Sequence, residues 1–82
     1  MNKYQKELQT LKSWDEVQGC GAEEWTKGYE FIYTAGHGYL VVPKEDKNAE
    51  LARGICEYGF VGDLAYYLEE DCEAGKFIKA IQ

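Results

Sequence analysis

Two short runs rich in aromatic and β-branched residues, Glu30–Thr34 and Tyr39–Val42, are separated only by Ala35-Gly36-His37-Gly38. That spacing reads as an antiparallel hairpin with a glycine-supported turn. Pro43 ends the second strand, because it has no N–H to give to a ladder. An isolated hairpin is marginal in water and has to bury a face against other elements. The flanking segments supply them. Tyr4, Leu8 and Leu11 recur at helical spacing and predict a helix over residues 2–12, with Asn2 as N-cap and Gln5 completing a capping box. Ser13-Trp14-Asp15-Glu16 repeats the capping pattern and predicts a further short turn that Gly19 and Gly21 terminate. Glu24-Trp25-Thr26 reads as a third strand ending at Lys27-Gly28.

Downstream of the hairpin, Leu51, Ala52 and Ile55 share one face of a helix expected over residues 46–57. Tyr58 extends that face and Gly59 serves as C-cap. Phe60-Val61 and Tyr66-Tyr67-Leu68 read as extended. From Glu69 the helical period returns, with Ala74, Phe77, Ile78 and Ile81 as its apolar stripe. Lys76 and Lys79 lie toward the end of that helix, where its dipole favours cations. The expected class is α+β: a small, mainly antiparallel sheet packed on one face by two to three helices, in a single domain spanning residues 1–82. Leu, Ile, Val and Phe number only 17 of 82 residues, so seven Tyr and two Trp have to carry much of the core.

Charge narrows the function classes. Nine Lys and Arg against 15 Asp and Glu give a net charge of −6, a poor match to a phosphate backbone, whose binding needs clustered cations. Direct nucleic-acid binding is therefore not expected. Nor is a membrane span, since no apolar run reaches the length one needs. The first residues lack an apolar stretch of the secretory kind, which leads to the expectation of a cytoplasmic protein. Cys20, Cys56 and Cys72 are odd in number and form no CxxC pair, so free, buried thiols are expected. Acid is concentrated in residues 63–73, where Asp63, Glu69, Glu70, Asp71 and Glu73 meet no Lys or Arg, giving that window a charge of −5.

His37 is the only histidine. Between two glycines it is a candidate general base or ligand, or simply a turn residue bonded to its own backbone. A single His without a spaced Cys pair does not predict a metal, and no cofactor or catalytic residue is assigned. The acids from Glu69 onward have an equally plain reading as dipole partners of a helix start. The glycines around His37 lack the Gly-Lys-Ser/Thr ending of a phosphate loop.

Thr34-Ala35-Gly36-His37-Gly38-Tyr39 together with Tyr67-Leu68-Glu69-Glu70-Asp71-Cys72-Glu73 resembles a family of small domains of unknown function in phage and plasmid proteins. There a Thr/Ser-x-x-His-Gly-Gly strand precedes a Tyr-Glu-Glu-Asp-Cys helix start. The likeness covers about residues 30–75; Tyr39 replaces a frequent second glycine, and Leu68 separates Tyr67 from Glu69. What the resemblance implies is a mobile-element origin, no defined activity, and one spatial site for His37 and the Glu69–Asp71 cluster.

The function expected from these readings is a non-enzymatic, cytoplasmic protein-binding modulator, of the kind with which a phage inhibits a host defence system. Its acidic, Tyr-rich face would be built from His37, Tyr39, Asp63, Tyr66, Glu69, Glu70, Asp71 and Glu73. The partner expected is a host protein with a basic surface, with a second copy of the chain as another candidate. The alternative is a small enzyme or ligand-binding domain that uses His37 with Glu70, Asp71 or another carboxylate of the Glu69–Asp71 cluster.

Overall fold

The computed structural model describes all residues, Met1–Gln82. Helix α1 spans Lys3–Leu11. Its Asn2 side chain accepts the Gln5 N–H at 2.9 Å, and the Gln5 side chain accepts the Asn2 N–H at 2.8 Å, closing the expected capping box. Strand β1 follows at Val17–Gly21, β2 at Phe31–Thr34 and β3 at Gly38–Pro43. Helix α2 covers Ala49–Ile55. Strands β4 (Phe60–Val61) and β5 (Ala65–Glu69) lead through a wide π-helical turn, Glu70–Ala74, into α3 at Gly75–Ile81. The five strands form one antiparallel sheet in the order β1-β2-β3-β5-β4. The α+β class stands as expected, but the helices cover both faces of the sheet and not one face alone.

The two central strands explain the layering. Along β3, Leu40 and Val42 point to one face with Phe31, Tyr66, Leu68, Ala52, Ala74, Phe77 and Ile78. This is the face that α2 and α3 cover. Tyr39 and Val41 point the other way and pack with Leu8, Val17, Ile32, Ala65 and Tyr67, beneath α1. A strand that is apolar at every position needs cover on both sides. The N-terminal helix supplies the second.

Three local expectations are corrected. Residues 17–21 form an edge strand, not the end of a helix; the register slips between Val17 and Gly19, and a bulge of this kind blunts an exposed edge. Glu24–Thr26 is a single 3₁₀ turn instead of a strand. The Thr26 hydroxyl donates to the Glu23 carbonyl at 2.7 Å and accepts the Glu23 N–H at 3.0 Å, while Lys27 (φ 52°) and Gly28 (φ 90°) reverse the chain through left-handed backbone. Helix α2 stops at Ile55, short of Tyr58, which is 71% exposed, and Gly59 does not cap it. A Cβ at Gly59 would lie 1.9 Å from the Tyr67 carbonyl oxygen, so it is close approach to β5 that requires glycine there.

Two side-chain carboxylates hold the irregular segments. Glu7 on α1 accepts the N–H groups of Asp63 (2.6 Å) and Leu64 (3.1 Å) and the Tyr67 hydroxyl (2.7 Å), fixing the β4–β5 connection. Glu73 is 2% exposed and accepts from the N–H groups of Glu57 (2.6 Å), Tyr58, Gly59 (3.0 Å) and Glu69 (3.2 Å). It ties the end of α2 to the end of β5.

Candidate functional site

The hairpin turn is built on Asp15. Its carboxylate takes the Gly36 N–H at 3.2 Å, lies 2.8 Å from the Thr34 hydroxyl and pairs with Lys12 at 2.7 Å. The Thr34 hydroxyl also sits 2.7 Å from the His37 carbonyl and accepts the His37 N–H at 3.0 Å. The Thr34 N–H closes the turn on the His37 carbonyl at 2.8 Å. The hydrogen bond from Lys12, joined by that from Thr34, holds the Asp15 carboxyl below its ordinary range. Burial works against the Lys12 charge, but its interactions with Asp15 and Tyr39 outweigh that and keep its pKa raised. The Lys12 ammonium lies 4.8 Å from the centre of the Tyr39 ring.

Strand pairing then brings a second segment to this turn. Tyr39 on β3 is opposite Glu69 on β5, so His37 and the residues after Glu69 emerge at the same end of the sheet. Glu69 caps the π-helical turn: its Oε1 accepts the Asp71 N–H at 2.8 Å and the Cys72 N–H at 3.2 Å. Its other oxygen, Oε2, lies 3.9 Å from Nδ1 of His37. Nitrogen or oxygen atoms of His37, Glu69 and Asp71 all fall within 4.8 Å of one another. His37 and the carboxylates of Glu69 and Asp71 therefore lie together at this end of the sheet. Close packing requires glycine at position 38, since a Cβ there would strike the Phe31 ring at 2.4 Å and come within 3.5 Å of the Glu70 carboxylate carbon.

The other expected site residues do not join this cluster. Asp63 is exposed but lies in the β4–β5 connection, at the opposite end of β5 from Glu69. Glu73 is a buried backbone acceptor and offers no charge to a partner. Tyr39 (3% exposed) is packed under α1, and Tyr66 (8%) belongs to the core beneath α2 and α3. The acidic window of residues 63–73 is therefore not one face: at this end Glu70 and Asp71 are exposed and Glu69 is half-buried. The three cysteines are free, as expected, yet Cys20 and Cys72 are exposed and only Cys56 is half-buried.

Aromatic surface is present here, from residues the sequence reading placed elsewhere or did not single out. Trp25 and Tyr33 flank the buried Phe31 ring, each 5.2 Å from it in edge contact, and each remains 39% exposed. Glu23 accepts from the Trp25 indole N–H at 2.7 Å and the Tyr33 hydroxyl at 3.4 Å. Desolvation raises the pKa of the Tyr33 phenol, and the Glu23 and Glu70 carboxylates add to that. Tyr33 thus bonds to Glu23 and lies within electrostatic reach of Glu70, which adjoins Glu69 and Asp71 in the chain. The alternation of β2 places Tyr33 on the same face as Phe31, and this was the signal available in the sequence.

Three concave regions exist, and none is lined by His37, Glu69 or Asp71. The largest lies at the opposite end of the sheet, among Lys27, Tyr29, Pro43, Asp46, Asn48 and Leu51. No helix is long and apolar enough to cross a membrane. No family model, curated protein or solved structure matches the chain.

Proposed function

We propose that the chain is a non-enzymatic protein-binding module that docks its acidic, aromatic end against a basic surface of another protein. The observation that carries this reading is the combination of half-exposed Trp25 and Tyr33 with the carboxylates of Glu23, Glu69, Glu70 and Asp71. Amphipathic aromatics supply contact area with a polar tip, and surrounding charge sets encounter rate and partner choice. An enzyme using His37 with Glu69 or Asp71 would need a concavity to hold substrate and exclude water; the concave regions lie elsewhere. The mobile-element origin implied by the resemblance fits a modulator of a host protein, such as a defence nuclease whose nucleic-acid groove is basic.

The test is affinity capture from a bacterial lysate, followed by association kinetics with the captured protein. Tyr33→Ala and Glu70→Lys should each abolish or sharply slow association at low salt, and the effect of Glu70→Lys should shrink as salt screens it. Glu50→Lys, an exposed reversal on α2, should leave association unchanged. If both variants at the acidic end bind like the parent chain, the reading is wrong.

A further inference from the structure

We propose that His37, Glu69 and Asp71 form a binding site for a divalent first-row transition cation of the manganese–zinc class. The fold brings three donors of the right kind within 4.8 Å of one another, and the Asp71 carboxylate has no partner in the chain. Imidazole nitrogen with carboxylate oxygen is a ligand set that suits manganese, cobalt, nickel and zinc better than magnesium or calcium, which prefer oxygen alone.

Each ligand is positioned by bonds that do not use its donor atom. The His37 backbone is locked by Thr34 through both its N–H and its carbonyl, and Asp15 holds that turn in place. Glu69 spends Oε1 on the Asp71 and Cys72 N–H groups, which leaves Oε2 facing the imidazole. The Asp71 carboxylate makes no hydrogen bond or ion pair within the chain, while its N–H is held by Glu69. Register pairing of Tyr39 with Glu69 brings the segments together.

The spacing is informative. The Nδ1–Oε2 separation of 3.9 Å is too long for a hydrogen bond. The three donor atoms lie within 4.8 Å of one another, and rotation of the exposed His37 and Asp71 side chains closes them on an ion whose bonds are about 2.0–2.2 Å long. Three protein ligands at an exposed rim leave further coordination positions open to water. The site shares Glu69 and Asp71 with the proposed docking end but uses neither Trp25 nor Tyr33, and metal binding is measured with no partner protein present, so its failure and the failure of the docking reading are distinguishable.

The experiment uses manganese(II) chloride as the principal probe, because manganese disfavours the exposed thiols of Cys20 and Cys72. Isothermal titration should give one saturable site per chain, and the paramagnetic ion should broaden the amide signals of residues 36–38 and 69–72 selectively. His37→Ala and Asp71→Asn should each weaken binding about tenfold or more, with amide spectra otherwise matching the parent chain to show that the fold is intact. Glu50→Gln, removing an exposed acid on α2, should change nothing. A zinc titration of the Cys20→Ser/Cys72→Ser chain should shift the His37 ring signals. The proposal is overturned if no saturable binding appears at millimolar manganese. It is equally overturned if binding survives both ligand substitutions, or if magnesium binds as tightly as manganese.

Discussion

Replacing Glu73 should damage the fold far more than replacing its acidic neighbours. The carboxylate is buried, is paired with no cation, and accepts from four backbone N–H groups on two segments. In Glu73→Ala all four lose their acceptor. Glu57 and Tyr58 are exposed, so water can reach their N–H groups; Gly59 and Glu69 are only half-exposed. Two stranded donors at about 1–3 kcal/mol each give a loss of about 2–6 kcal/mol. A domain of this length has a total stability of about 4–12 kcal/mol. The substitution should therefore remove a large part of the stability or unfold the chain outright. Glu73→Gln keeps one acceptor oxygen and should fall between, because its amide NH₂ faces donors. Glu70→Lys, at an exposed position, should stay within about 0.5 kcal/mol. Urea denaturation followed by far-ultraviolet circular dichroism measures all three variants. A Glu73→Ala protein within 0.5 kcal/mol of the parent would show that the carboxylate does not organise the junction between α2 and β5.

Two further outcomes follow from the same structure. Asp15 has a lowered carboxyl pKa, so its contribution to stability is complete above its ordinary value of 3.8 and is lost as pH falls through the folded one. Thermal melts of the parent chain should accordingly drop more steeply below about pH 4 than those of Asp15→Asn, and parallel curves would refute the role of this carboxylate. Burial, reinforced by the Glu73 carboxylate, pushes the Cys56 thiol up to about 11. Near pH 8 its thiolate fraction is about 100-fold below that of a thiol at the reference value of 9.0, and greater intrinsic nucleophilicity recovers about tenfold of that. Iodoacetamide should modify native Cys56 about tenfold more slowly than such a reference thiol, measured by peptide mass spectrometry. Modification at the reference rate would contradict the buried placement.

Local signals determined much of the architecture. The Asn2–Gln5 capping box, the hairpin across Gly36–Gly38 and the stripe from Ala74 to Ile81 each depend on residues within a few positions of one another, and each formed where the sequence placed it. The cover of the second face by α1 was not legible in the sequence, whose pattern placed helices on one face only; it depends on Leu8 meeting Tyr39, Val41 and Tyr67 across the chain. Tertiary structure decided the rest because the deciding contacts are distant in sequence. Residues 17–21 became a strand only by pairing with β2. The end of α2 was set by Glu73, up to 16 positions away from the N–H groups it captures, and the β4–β5 connection by Glu7, more than 50 positions away. An acidic residue reads the same in sequence whether it faces water or collects backbone N–H groups. This is why Glu73 looked like part of a surface patch and proved to be a structural acceptor. The meeting of His37 with Glu69 and Asp71 likewise needed the β3–β5 register, since composition alone could not place both segments at one end of the sheet.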